Sequence, residues 1–241
     1  MRYELYYWPT IQGRGEFVRL ALEQAGARYI DVAREQGKGM GLKAMLNLMN
    51  GADLERPPFA PPFLRAGKQV VAQTANILHF LAPQLGLVPA AESTRRWVHQ
   101  LQLTVEDLIV DIHDTHHPVA SSLYYQDQIA ESKRRAKFFC KERAPELLSY
   151  FERVWQRTPG EHGYLVGRSL SYIDLSLFQV IDGLRYAFPK MMKRLSRKIP
   201  GLLMLHETVS NKPNIRRYLS SERRLAFNQD GIFRHYPELD A

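Results

Sequence analysis

Cysteine is almost missing from this chain: one residue, Cys140, among 241. No intramolecular disulfide can form, and a lone cysteine fits a reducing compartment. No apolar run reaches about 18 residues, so no transmembrane helix and no membrane partner are expected. The first residues, MRYELYYWP, carry an acid and enter an alternating pattern at once. They lack the basic-then-apolar layout of a signal peptide. Internal repeats and low-complexity tracts are missing too. These absences together lead to the expectation of a cytoplasmic protein.

What is present is ordinary for a soluble globular protein: 45% hydrophobic and 24% charged residues. The length allows one large domain or two small ones. The formal net charge is +8, with the excess basic residues spread over both halves. One local cluster, Lys190-Met-Met-Lys193-Arg194-Leu-Ser-Arg197-Lys198, has the composition of a nucleic-acid patch, but such runs are more often a solvated face. No nucleic-acid partner is expected. A basic surface also suits attraction of an anionic small molecule.

Residues 2–8 are rich in aromatics and read as a strand. Alternation puts Tyr3, Leu5 and Tyr7 on one face, Tyr6 and Trp8 on the other. Pro9 ends it. From Arg14 to Gln24 a helical stripe runs through Phe17, Val18, Leu20, Ala21 and Leu22, closed by Gly26. Tyr29, Ile30 and Val32 make a second strand, and a helix covers Gly41 to Asn50. A loop from Gly51 to Pro58 follows.

Residues 60–81, APPFLRAGKQVVAQTANILHFL, read as a strand, a turn at Gly67, a second strand, and a helix starting at Gln73-Thr74. Two prolines beside a helix N-terminus, with its unpaired N–H groups, suit a small anionic ligand. An ordinary capped helix after a hairpin is the bland alternative. Beyond a connector at 85–90 only helical patterns remain: about 91–117, then 127–157 ending near Pro159-Gly160, one from Ser171, then Pro200 to Ser210 and Pro213 to Leu219. Residues 221–241 are mixed and partly irregular. The chain divides into an α/β part, 1–84, and an all-α part, 91–241. Ser171-Tyr-Ile-Asp174 has the capping-box spacing, so Asp174 is expected to start a buried helix and not to act in catalysis.

With these features in this order, the chain resembles the cytosolic glutathione S-transferases over nearly its whole length. The resemblance implies a thioredoxin-like N-terminal domain and a C-terminal helical-bundle domain. The first strand and loop, Tyr7-Trp8-Pro9 to Gly13-Arg14, resemble the tyrosine-type classes, sigma first, then pi and mu. The loop is one residue longer than in sigma or pi.

The resemblance assigns roles by position. Tyr7 would donate a hydrogen bond that favours the thiolate of glutathione, with Tyr6 as second choice. Gln73 and Thr74 would hold the γ-glutamyl end, and Asp107 from the partner subunit of a homodimer would pair with its ammonium. Lys43 matches a lysine that binds the glycine carboxylate, although the tryptophan upstream of it in sigma is replaced by Gly39 and Met40. Arg14 would support the tyrosine region. The cis-proline before the third strand is Pro62 by its spacing to Gln73, or Pro61 by its spacing to Gly67. If it is Pro62, the residue that normally pairs with the cysteinyl part is Pro61, which has no N–H.

Ile11, His113 and His117 are candidate walls of the electrophile pocket. His113-Asp114-Thr-His116-His117 has no partner motif of metal-site spacing, and no metal is expected. Cys140 reads as a small core residue. The implied activity is an enzyme, a glutathione transferase that attacks a hydrophobic electrophile with glutathione as co-substrate. The alternatives on the same fold are a non-catalytic binder of glutathione or a hydrophobic ligand, and a glutathione-dependent isomerase.

Overall fold

A computed structural model of the chain describes residues 2–51, 54–158 and 163–240. Part of the Gly51–Pro58 loop and the expected helix end at Pro159-Gly160 lie outside the described residues.

The first part forms a four-stranded sheet with order β2-β1-β3-β4. Strand β1 (Tyr3–Tyr6) stops two residues short of the expected span, because Tyr7 turns into the loop. It pairs in parallel with β2 (Tyr29–Asp31), Tyr3 opposite Tyr29. It pairs antiparallel with β3 (Phe63–Ala66), Tyr6 opposite Phe63. Strands β3 and β4 (Gln69–Ala72) form a hairpin, and Gly67 in its turn has φ +63. A parallel neighbour requires a crossover, and α1 (Gly15–Gln24) supplies it. Alternation along β1 sorts the two cores. Tyr3 and Leu5 pack with Val18 and Leu22 of α1 and with Ile77 and Leu81 of α3 (Thr74–Leu85). Tyr6 faces the other side, stacked on Phe63 at 4.7 Å beside Met45 of α2 (Gly41–Asn50).

The second part is helical. Helix α4 (Glu92–His113) ends four residues before the expected 117. Thr115 Oγ1 donates to the Ile112 carbonyl at 2.7 Å, and the chain leaves the α-helical path there. Pro118 then disfavours helical geometry at His117. The expected helix over 127–157 is one rod with an irregularity: α5 (Ile129–Phe138), a π-helical turn (Phe139–Arg143) and α6 (Ala144–Arg157). The turn lets Phe139 and Cys140 both face inward. Helix α7 (Tyr172–Ala187) is buried on nearly every side, so it is the axis of this part. Helices α9 (Pro200–Ser210) and α10 (Pro213–Leu219) begin on proline as their sequences predict. The Lys190–Lys198 run contains a further helix, α8 (Pro189–Leu195).

The capping box forms as expected. Asp174 accepts from the Ser171 amide at 2.7 Å, the Ser171 hydroxyl at 2.8 Å and the Leu165 amide at 2.7 Å. Burial pushes its carboxyl up to about 6, against the pull of those donors.

Candidate functional site around Tyr7 and Arg14

Tyr7 sits just past β1, 5% exposed, beneath the loop that leads into α1. The Arg14 backbone N–H donates to Tyr7 Oη at 2.8 Å. The loop closes this tightly because of two glycines. A Cβ on Gly13 would lie 2.1 Å from Tyr7 Oη, and one on Gly15 would lie 2.5 Å from Tyr7 Cγ. Burial raises the Tyr7 pKa, opposed by the Arg14 amide and by the charges of Arg14 and Arg19. The hydroxyl therefore keeps its proton at neutral pH, and with Arg14 donating to its oxygen it stands as a donor. Tyr6 is spent elsewhere: its hydroxyl donates to Glu4 at 2.8 Å.

The same residue, Arg14, links Tyr7 to the helix start at Thr74. Thr74 Oγ1 donates to the Arg14 carbonyl at 3.5 Å, and Thr74 is buried. Gln73 precedes it, exposed, with φ +69, the only non-glycine residue with positive φ among those described. A glutamine held in that region carries backbone strain, which is concentrated at ligand clamps. The Pro61–Pro62 peptide bond is cis, so the register favoured by Gln73 holds. Pro62 is buried and Pro61 half-buried ahead of β3.

Lys43 lies in the first turn of α2, exposed. On α4, adjacent acids face opposite ways. Glu106 takes a 2.9 Å hydrogen bond from Gln102 Nε2 and is raised in pKa by burial, while Asp107 is exposed. The Arg14 charge lowers the pKa of both Glu106 and His113, against burial for the first and with it for the second. Ile11 is half-buried in the loop, its carbonyl accepting from Arg19 at 3.4 Å.

The histidines do not splay as they would on a continued helix. His113 stacks on His117 at 5.1 Å, and His116 meets His117 edge-on at 4.8 Å. His116 Nε2 contacts the Ile232 carbonyl at 2.8 Å, so Nε2 carries the proton. His116 Nδ1 is then a bare acceptor, and the facing His117 Nδ1 must donate to it. Burial pushes His116 down to about 3 and His117 down to about 4, with the Arg234 charge adding to both. Among the described residues no group of three or more His, Cys, Asp or Glu is arranged to hold a metal ion. Cys140 is buried, and burial pushes its thiol up to about 12.

Several residues that shape this site carried no motif. Arg19, fully buried, holds Asp31 at 2.6 Å, Glu16 at 3.3 Å and the Gln12 carbonyl at 3.3 Å. Gln12 is gripped from the helical part: Gln179 Nε2 donates to its Oε1 at 2.7 Å, and its own Nε2 donates to the Leu225 carbonyl. Tyr218 and Arg224 both donate to Glu16. The available signal was two charges, Glu16 and Arg19, set among the apolar positions of the α1 stripe. The C-terminal segment closes beside the loop, leaving only about 10 Å³ between Gln12, Gly13, Phe227 and Phe233. A surface cavity of about 900 Å³ at the β2 edge, beside Tyr29, Arg34 and Arg223, contains none of the candidate residues.

The fold is that of the glutathione S-transferases: a thioredoxin-like domain with a four-stranded sheet, followed by a helical domain. A solved Pi-class glutathione S-transferase of Onchocerca volvulus superposes with a TM-score of 0.72 at 21% identity, covering 96% of this chain and 99% of that one. A glutathione S-transferase of Necator americanus, described as monomeric, superposes with a TM-score of 0.67 at 18% identity, covering 94% and 100%. Residues 113–222 match the family model "Glutathione S-transferase, C-terminal domain". A curated glutathione S-transferase of Plasmodium falciparum is 24% identical over 224 residues, 91% of this chain and 95% of that protein. These likenesses support the glutathione S-transferase family and, with it, an enzyme. Class labels among the relatives include mu and pi.

Proposed function

We propose that this chain is a tyrosine-type glutathione transferase, with its sigma-like character resting on the sequence of the first strand and loop. The observation that carries the reading is the Arg14 N–H bond to Tyr7 Oη at 2.8 Å. It occupies an acceptor site of the phenol and leaves the O–H to donate. A free thiol of pKa about 8.5 is mostly protonated at neutral pH. A hydrogen bond from Tyr7 to the glutathione sulfur favours the thiolate, which then attacks an electrophilic carbon.

In this reading residues 1–84 bind glutathione and 91–241 complete the electrophile pocket. Gln73 and Thr74 hold the γ-glutamyl carboxylate at the start of α3, Pro61 and Pro62 border the cysteinyl part, Lys43 meets the glycine carboxylate, and Arg14 backs the tyrosine. Ile11, His113 and His117 wall the electrophile. Asp107 reaches a partner's γ-glutamyl ammonium across a two-fold axis. Two features support a dimer. Leu103 and Val110, exposed on α4, flank Asp107, and Phe59 is 92% exposed just before the prolines. Glutathione is a co-substrate and no metal takes part. The assigned compartment is the cytoplasm.

Replacing Tyr7 with Phe keeps the ring and removes the donor. Turnover on an accepted electrophile should fall by about tenfold to a hundredfold, with glutathione affinity within about threefold. Full turnover in that variant would remove Tyr7 from the mechanism. One observation favours the binding-only alternative: Pro61 offers no N–H to the cysteinyl backbone. Retention on immobilised glutathione, with no turnover across a broad electrophile panel, would select it. Isomerisation uses the same glutathione site and is distinguished by product analysis.

A further inference from the structure

We propose that the outer face of α8 and the turn after it form a docking surface for an anionic lipid membrane. It lies outside the candidate site and needs no membrane-spanning segment; among the described residues no helix is long and apolar enough to cross one. Lys190, Lys193, Arg197 and Lys198 are all exposed, while Met191, Met192, Leu195 and Ile199 are buried. At about 100° per residue, Lys190 and Lys193 fall on the side of α8 away from the buried Met191, Met192 and Leu195, and Arg197 and Lys198 follow in the 3-10 turn Ser196–Lys198.

Four of the cations here, Lys190, Lys193, Arg197 and Lys198, have no carboxylate partner among the described residues. Some arginines elsewhere on the surface do pair with acids: Arg65 with Glu4, Arg96 with Glu92, Arg135 and Arg143 with Asp111, Arg223 with Glu23. The nearby Asp240 is buried and turned inward, accepting from the Lys190 and Met191 amides at the start of α8.

The flank of the face decides the kind of partner. Two adjoining grooves, about 300 and 540 Å³, share Arg185, Ser196 and Leu203. Met192 and Pro189 line the first; Met204, 52% exposed, lines the second, with Glu207 as its one acid. Unpaired cations beside aliphatic side chains match a layer of anionic headgroups over acyl chains. A nucleic-acid surface calls for aromatic rings on which bases stack, and His206 is the one aromatic ring that lines either groove.

The test is flotation of the full chain with phosphatidylcholine vesicles, with or without phosphatidylserine. Binding is expected only with phosphatidylserine, and molar salt should abolish it. The double variant K193E/R197E should bind about tenfold or more weakly. The control K137E/K141E changes net charge equally at exposed positions of the α5 rod and should bind within about threefold of the parent. Folding of both is checked by thermal unfolding. No binding to phosphatidylserine vesicles overturns the proposal. So does equal weakening of the two variants, which would make net charge the cause, or binding to duplex DNA with none to vesicles.

Discussion

The backbone N–H of Arg14 donates to Tyr7 Oη, and the carbonyl of the same residue accepts from Thr74 Oγ1. One residue thus joins the end of the first strand to the start of the third helix. Two segments about sixty residues apart in sequence meet at Arg14, and glycine at the loop end, Gly13, and at the first position of α1, Gly15, leaves room for the Tyr7 ring there.

Gly15→Ala tests that closure without altering Tyr7. Gly15 is helical and has no positive φ, so the effect is steric. The added Cβ would lie 2.5 Å from Tyr7 Cγ, so ring or loop must move. Turnover should fall at least about tenfold, with a stability loss of about 1–3 kcal/mol by overpacking. Unchanged turnover would mean that the position of Tyr7 under the loop does not matter.

Gln73→Gly separates strain from contact. With φ +69, glutamine is strained there and glycine is not. Stability should stay level or rise by up to about 1 kcal/mol, while the glutathione Kd should weaken about tenfold. Calorimetry and thermal unfolding read both. Wild-type affinity in this variant would deny the Gln73 side chain a ligand role.

Asp174→Ala removes the acceptor of three hydrogen bonds in a fully buried site. Three donors are stranded, and the cost should be about 2–4 kcal/mol by urea unfolding. A loss under about 0.5 kcal/mol would show that the helix start is held by something else.

His116 makes stability depend on pH in a known direction. Its pKa is about 3 in the folded chain against an ordinary 6.5, so the unfolded state binds the proton more readily. Its contribution is complete above pH 6.5 and is lost as pH falls toward 3, by at most about 1.4 kcal/mol per pH unit. Urea midpoints at pH 7 and pH 5 should differ less in His116→Gln than in the parent. Equal pH dependence would show that His116 is not a buried neutral group.

Much of the architecture was legible from local pattern. The helical stripe from Phe17 to Leu22, the prolines at 200 and 213, the hairpin at Gly67 and the Ser171–Asp174 box each act over a few residues. The misplaced boundaries have local causes of a subtler kind. The stop at His113 depends on a threonine hydroxyl two residues on, and the π turn at 139–143 on where two neighbouring side chains find room. For the site, periodicity put Tyr7 opposite Tyr6, while spacing left Pro61 and Pro62 both open as the cis-proline until the backbone placed the cis bond before Pro62.

The partners of those residues were not legible. Gln12 meets Gln179 and Leu225, Glu16 meets Tyr218 and Arg224, and His116 meets the Ile232 carbonyl, all across more than a hundred residues. Sequence by itself determined the order of strands and helices, because helix and strand periods, glycine and proline act locally. Only the tertiary structure decided which polar groups share the interior. A buried charge or amide is stabilised by whatever partner the folded chain brings to it, and no spacing in the sequence records that.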